Sequence, residues 1–203
     1  NTKPFYNTTL VENKIKMCIN LKKLNYINDI IINTDCEIVI NIAKKYNLKT
    51  HLREKYYASS ECPAYKYFNH IAKVTECDHI LLCQVTCPII KLETYIDIIN
   101  KYQKLDNNFD SIITVKDVKE HLWLNNKPLN YTLNKSPNSQ DLPDIKRITY
   151  GINILPREIM IENCNAIGNK PYLYTLDDFE SIDIDTPFDF NYAEYVFKEN
   201  NEN

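Results

Sequence analysis

Two aspartates near the C-terminus, separated by a single residue, have the type and spacing of metal ligands. Asp183 and Asp185 lie in the segment Ser181–Pro187 and alternate with Ile182 and Ile184. In extended backbone successive side chains point to opposite sides, so both carboxylates share one face while the isoleucines anchor the other in the core. Mg²⁺ takes hard oxygen ligands, commonly one or two carboxylates with waters and substrate phosphates. The pair therefore indicates a Mg²⁺ site for a phosphate-bearing substrate.

A structural role for the same segment is also open. Asp-x-Asp is common by chance, and Pro187 suits the first position of a helix that Asp185 or Thr186 would cap. Capping and metal binding are compatible, so both interpretations stand.

Composition predicts one domain over residues 1–203, because 44% hydrophobic residues suffice for a core at this length. A net charge of -3 argues against a nucleic-acid partner, although a local basic site for a phosphorylated ligand is allowed. No apolar run approaches about 18 residues and the N-terminus has no signal pattern, so we expect no membrane partner and a cytoplasmic location.

Cysteine, histidine and glycine exclude some kinds of site. The seven cysteines are odd in number and contain no Cys-x-x-Cys pair, so we expect reduced core thiols and neither a disulfide framework nor a zinc site. The four histidines lack ligand spacing. Gly151 and Gly168 are the only glycines, which excludes a Gly-rich phosphate loop within this sequence.

Hydrophobic periodicity predicts strands that alternate with helices. Helices are predicted over 8–24, 37–46, 63–74, 92–105, 157–162 and 187–198, and strands over 30–32, 79–84, 111–115 and 148–155. This order is typical of a three-layer α/β domain with a largely parallel sheet. Ligands bind such sheets beyond the carboxyl ends of the strands, where the polar segments 33–35 and 84–88 lie. Residues 118–147 form a predicted irregular excursion that covers a site or a partner surface.

Six short motifs then occur in an order that resembles one enzyme family. They are Asn1 to Phe5, Ile32 to Asp35, Ile42 to Tyr46 with Arg53, Gln84 to Pro88, Gln140 to Pro143, and Ser181 to Asp185. Over almost its whole length the chain resembles the CMP-sialic acid synthetases, or acylneuraminate cytidylyltransferases, with the CMP-Kdo synthetases as more distant relatives. The resemblance implies the Rossmann-like nucleotide-diphosphosugar transferase fold, with a mostly parallel mixed sheet.

The resemblance also implies a reaction, in which CMP moves from CTP to the anomeric hydroxyl of a 2-keto sugar acid and pyrophosphate leaves with the help of Mg²⁺. Asp183 and Asp185 would hold the metal, and one of them would help to take the proton from the sugar hydroxyl. The implied substrate-binding residues are Asn1 near the nucleotide, Arg53 near CTP, Gln84 and Gln140 near the sugar, Thr86 beside Gln84, and Ser59 as a hydroxyl donor. Arg147 is a candidate phosphate contact, since a guanidinium fork matches phosphate oxygens.

The chain departs from the family pattern in four places, one of which is Ser59-Ser60-Glu61, where the family often has Ser-Asp-Thr. The family's opening strand and its basic, Gly-containing nucleotide loop should precede Asn1, so we expect the numbering to begin inside a longer protein. Asn138 and Ser139 stand where the family has Arg, and Tyr150-Gly151 replaces Asn-Gly. These last two changes leave the identity of the sugar open.

Two alternatives to a cytidylyltransferase remain. A metal-dependent glycosyltransferase also uses Asp-x-Asp to hold a nucleotide sugar, and a sugar- or nucleotide-binding relative could have lost catalysis. The family resemblance further implies a homodimer whose interface includes residues 118–137, with Glu120, His121 and Trp123. The alternative for this segment is an internal cover over the core.

Overall fold

The computed structural model describes residues 1–202, so Asn203, the last residue of the predicted domain, lies outside the described residues. The helices are α1 Leu10–Lys23, α2 Glu37–Lys45, α3 Lys55–Ala58, α4 Ala64–Lys73, α5 Leu92–Tyr102, α6 Arg157–Asn163 and α7 Pro187–Glu202, with a 3₁₀ turn at Ser139–Asp141. The strands are β1 Pro4–Phe5, β2 Thr8–Thr9, β3 Ile31–Thr34, β4 Lys49–Leu52, β5 His79–Cys83, β6 Ser111–Val118, β7 Trp123–Leu124, β8 Lys127–Pro128, β9 Ile145–Pro156 and β10 Pro171–Thr175.

The main sheet has four strands in the order β10-β6-β9-β5. Strands β10 and β6 are parallel, whereas β9 runs antiparallel to both of its neighbours. The direction of β9 follows from the excursion: the chain leaves β6 at Val118, and β9 begins opposite that residue at Ile145, as in a hairpin with a very long connection. A separate parallel pair, β3 with β4, completes the mixed α/β architecture that the sequence predicts.

Helices cover both faces of the main sheet. Neighbouring side chains of β9 point to opposite faces, so this strand packs against helices on both sides. Ile152 and Ile154 pack with residues of α1 and α5, such as Leu21 and Ile98. Leu155 packs on the other face with residues of α4 and α6. The three layers expected from the sequence are therefore present.

Helix α1 has a well-defined N-terminal cap and a buried face that includes a lysine. The hydroxyl of Thr9 accepts a hydrogen bond from the backbone N–H of Glu12 at 3.1 Å, which caps the helix. The buried face of the helix repeats at intervals of three or four residues and consists of Leu10, Val11, Lys14, Ile15, Cys18 and Leu21. A lysine therefore occupies a core position between apolar neighbours.

A cleft of about 1360 Å³ separates the two sheets. Strand β3 lines one wall and β5, an edge strand of the main sheet, lines the other. Cys18 and Cys87 are buried as expected, but Cys77 is exposed, so the prediction that all seven thiols lie in the core is wrong for that residue. No helix within residues 1–202 is long and apolar enough to cross a membrane.

Candidate active site

The aspartate pair lies in a connection between β10 and α7 that forms no strand. The alternation predicted from the sequence is nevertheless present, since Ile182 and Ile184 pack against a core cluster that includes Phe5 and Phe190. Asp183 is half-buried and Asp185 is exposed. The isoleucines thus anchor the segment while the carboxylates stay outside the apolar cluster.

Thr186 caps α7, as one of the two capping hypotheses predicts. Its hydroxyl accepts from the Asp189 N–H at 3.2 Å, and the Asp189 carboxylate accepts from the Thr186 N–H at 2.8 Å, which forms a reciprocal capping box. The Thr186 hydroxyl, more than any other group, lowers the pKa of Asp189. Asp185 contributes only its backbone N–H to this cap, at 3.2 Å from Asp189. Within residues 1–202 the Asp185 carboxylate has no hydrogen-bond or ion-pair partner, so it is free to bind a ligand.

The donor chemistry of the pair fits Mg²⁺. No lysine or arginine of the described chain forms an ion pair with Asp183 or Asp185, so two hard oxygen donors are available. No group of three or more His, Cys, Asp or Glu side chains gathers into a metal site anywhere in residues 1–202. Two carboxylates completed by waters and substrate phosphates is the usual arrangement for Mg²⁺ at phosphate-handling sites, whereas Zn²⁺ takes more protein ligands.

The loop that follows β5 meets the aspartate segment. The N–H of Ile184 donates to the carbonyl of Thr86 at 3.0 Å, and the thiol of Cys87 donates to Asp183 Oδ1 at 3.6 Å. Burial, and secondarily the Asp183 carboxylate, raises the pKa of Cys87 to about 12, so the thiol keeps its proton. Gln84 opens this loop, and its N–H lies 3.4 Å from the Gly151 carbonyl on β9. The loop that begins at Gln84 and the aspartate segment, about a hundred residues apart in the sequence, are therefore in direct contact.

Residues at the carboxyl ends of β3 and β5 line the same cleft, and Val85 after β5 packs in one cluster with Ile32 of β3. Asn1, Asn33, Arg53 and Gln84 all line this cleft, so three of the predicted substrate-binding residues lie on its wall. Arg53 donates to Asp35 and to the Tyr67 hydroxyl, each at 3.3 Å. Its Nε and the Asn33 Oδ1 are buried and have no partner in the described structure. Buried polar atoms are almost always satisfied, so an unpaired donor and acceptor in one cleft favour a polar ligand or water at that position.

The other predicted substrate-binding residues lie elsewhere. Arg147 donates to the carbonyl of Ser181 at 3.4 Å, which places its guanidinium beside the aspartate segment. The Ser59 hydroxyl donates to the Tyr56 carbonyl at 2.8 Å, an ordinary helix-end contact. Gln140 is exposed in the 3₁₀ turn. Neither Ser59 nor Gln140 lines the cleft, and their roles remain predictions.

Sequence reasoning missed one group beside this site, the side chain of Lys14. It is 5% exposed, and its ammonium donates to the Cys87 carbonyl at 2.9 Å and to the Tyr95 hydroxyl at 2.8 Å. Burial lowers the pKa of Lys14. The signal was present in the sequence, because Lys14 lies four residues from both Leu10 and Cys18 on the apolar stripe of α1.

Comparison with known proteins places the fold. No family model matches the sequence. The chain is 23% identical over 195 residues to the post-translational flagellin modification protein B of Campylobacter coli, an alignment that covers 90% of this chain and 83% of that protein.

Two solved structures resemble the chain over nearly its whole length. A 4-diphosphocytidyl-2C-methyl-D-erythritol synthase from Anaerococcus prevotii has a TM-score of 0.71 at 14% identity and covers 96% of this chain and 88% of its own. A CMP:2-keto-3-deoxy-manno-octonic acid synthetase complexed with CTP has a TM-score of 0.67 at 9% identity, with coverage of 98% and 91%. The chain therefore has the mixed α/β, Rossmann-like fold of these nucleotidyltransferases.

Proposed function

We propose that the protein is a cytidylyltransferase that moves CMP from CTP to a hydroxyl of a sugar-like substrate and releases pyrophosphate. The observation that carries the proposal is that Asn1, Arg53 and Gln84 line one cleft and that the loop which begins at Gln84 bonds to the Asp183 segment. A polar cleft and a nearby pair of carboxylates without an ion-pair partner among the described residues are components that nucleotidyl transfer needs. The likeness to a synthetase that was solved with CTP supports the choice of nucleotide.

We further propose a 2-keto sugar acid of the sialic-acid type as the acceptor. The motifs of the aspartate segment and of the Gln84 loop support this substrate, as does the similarity to a protein named for flagellin modification. Gln84 and Thr86 would contact the sugar, because they lie on the loop that bonds to the aspartate segment.

The proposed mechanism divides the work among a few side chains. Asp183 and Asp185 would hold Mg²⁺, which when bound supplies neutralising charge to the phosphates. Arg147, beside Ser181, would contact a phosphate through its guanidinium. Arg53 lines the cleft and would orient the nucleotide through the accessible part of its guanidinium. One of the two aspartates would accept the proton of the attacking hydroxyl, so that an oxygen nucleophile forms beside the phosphate.

Arg53→Ala is expected to weaken CTP binding by about ten- to a hundredfold, since a hydrogen bond to a charged group contributes about 1.5–3 kcal/mol. Isothermal titration of CTP into the full-length protein measures this effect. Lys104→Ala, which removes an exposed cation from the end of α5, is the control and should leave the affinity unchanged. Equal CTP affinities in the Arg53 variant and the unaltered protein would remove Arg53 from the nucleotide site.

The excursion supports a proposed homodimer. Its polar groups bond within the segment, as where Trp123 donates to the Tyr131 hydroxyl at 2.7 Å. Its apolar side chains point outward, with Trp123 54%, Leu124 58% and Leu133 65% exposed. An apolar patch of this kind is costly to leave in water and marks an interaction surface. The alternative of an internal cover over the core does not suit side chains this exposed.

The proposed dimer predicts the mass of the protein in solution. At micromolar concentration, sedimentation should give twice the chain mass for the unaltered protein and the monomer mass for Leu124→Asp or Leu133→Asp, because a buried unpaired carboxylate disrupts an apolar interface. Leu24→Asp is a matched control, since Leu24 is 53% exposed at the end of α1 and outside the excursion. A monomer for the unaltered protein would contradict the proposal.

A further inference from the structure

The buried ammonium of Lys14 has no carboxylate partner among residues 1–202. Buried charges are normally paired, because transfer of an ion out of water is costly. Lys14 instead donates hydrogen bonds to the Cys87 carbonyl and to the hydroxyl of Tyr95, which is completely buried on α5. The ammonium is stabilised by these two hydrogen bonds and by the Tyr95 ring, whose centroid lies 5.1 Å away, and one of the hydrogen bonds fixes the loop after β5.

Three consecutive carbonyls of that loop are fixed by three different donors. The Thr86 carbonyl accepts from the Ile184 N–H at 3.0 Å, and the Cys87 carbonyl accepts from Lys14 at 2.9 Å. The Pro88 carbonyl accepts from the Asn13 side-chain amide at 3.1 Å. Helix α1 thus supplies two adjacent donors, and the aspartate segment supplies the third.

The side chain of Cys87 extends this connection to the aspartate pair. It is 1% exposed, and its thiol lies 3.6 Å from Asp183 Oδ1 and 3.9 Å from the Thr149 carbonyl. The thiol contact with Asp183 occupies only one of the two carboxylate oxygens. The other oxygen stays available to a metal ion, and the contact restricts rotation of the carboxylate.

We propose that Cys87 and Lys14 are positioning residues for the metal-binding carboxylate of Asp183. Lys14 holds the Cys87 backbone, and the Cys87 thiol orients Asp183. This inference rests on the proposed Mg²⁺ site. Removal of a group that holds a metal-binding side chain in position typically weakens metal affinity by about 10- to 100-fold.

Binding of Mn²⁺, a paramagnetic substitute for Mg²⁺, tests the inference without requiring turnover. Free Mn²⁺ is measured by electron paramagnetic resonance in the presence of the full-length protein and CTP. Cys87→Ala and Lys14→Met should each weaken Mn²⁺ binding by about 10- to 100-fold, whereas Cys87→Ser, which keeps a donor, should stay within about threefold of the unaltered protein. Cys62→Ala, a half-buried cysteine outside the loop, is the control and should bind Mn²⁺ normally.

Thermal melts separate positioning from a merely structural role. Lys14→Met removes a buried charge but leaves the buried Cys87 carbonyl and Tyr95 hydroxyl without their donor, so its melting temperature should fall modestly; the variant should stay folded at the assay temperature while its Mn²⁺ affinity falls. Normal Mn²⁺ affinity in Cys87→Ala or Lys14→Met would overturn the inference and leave the metal site intact. If the unaltered protein bound no Mn²⁺ with CTP, the metal site itself would be overturned, and the inference with it.

Discussion

Asp183→Asn and Asp185→Asn are each expected to lower Mg²⁺-dependent pyrophosphate release by on the order of a hundredfold to a thousandfold. Losses of this size are usual when one preorganised contact to the charge that develops in the transition state is removed. The change removes a negative charge while it keeps the shape of the side chain. Neither residue belongs to the apolar cluster of Ile182 and Ile184, and the cap of α7 is formed by Thr186. Folding should therefore be preserved, and a pyrophosphate assay paired with a thermal melt measures both effects.

Asp178→Asn is the matched control for these variants. Asp178 lies in the same connection, pairs with Lys116 at 3.0 Å and is 85% exposed in its side chain, so its loss should change turnover by less than about twofold. Full activity in either variant of the pair would exclude that aspartate from the mechanism. A large loss in the control would show that the assay reports general disturbance of the loop.

Leu155→Ala is expected to lower the free energy of unfolding by about 2–5 kcal/mol, because a buried leucine loses its transfer free energy and leaves a cavity. Leu155 is 0% exposed and packs with Ile71, Ile80 and Met160 between the main sheet and two helices. Urea unfolding measures the effect.

Leu173→Ala on β10 makes the same chemical change at a site that is 43% exposed. Its cost should stay below about 1 kcal/mol, since little apolar surface returns to water. Equal losses of unfolding free energy in the two variants would contradict the packing of β9 between layers of helices.

Sequence periodicity predicted the elements that bury a continuous apolar stripe or run. Helices α1, α2, α4 and α5 and strands β3, β5, β6 and β9 all lie where the pattern placed them, with ends that differ by a few residues. The prediction failed for β4, whose residues Lys49–Leu52 are mostly exposed and carry no apolar run. It also failed for β10, a partly buried strand at the sheet edge that begins with a proline.

The hairpin of β7 and β8 was within reach of sequence reasoning. Asn125 and Asn126 join its strands with φ values of 50° and 61°. Left-handed residues at both central positions are typical of a tight hairpin turn, and asparagine is among the few residues that adopt this conformation readily. The Asn-Asn pair after Trp123 and Leu124 was therefore a usable turn signal.

The candidate site was predictable where its residues follow strands, and less so where a contact crosses the fold. Gln84 was placed by the end of a predicted strand, whereas Arg53, which follows the unpredicted strand β4, was found through the family motif; both line the cleft. The link between Cys87 and Asp183 joins residues whose neighbourhood is set only by tertiary packing. No periodicity within either segment encodes that contact.

The most direct test of the proposed function is pyrophosphate release by the full-length protein from CTP and Mg²⁺ against a panel of 2-keto sugar acids. The proposed reaction predicts release that depends on CTP, on the metal and on one acid of the sialic type. No release with any acid, from protein shown to be folded, would contradict the cytidylyltransferase assignment.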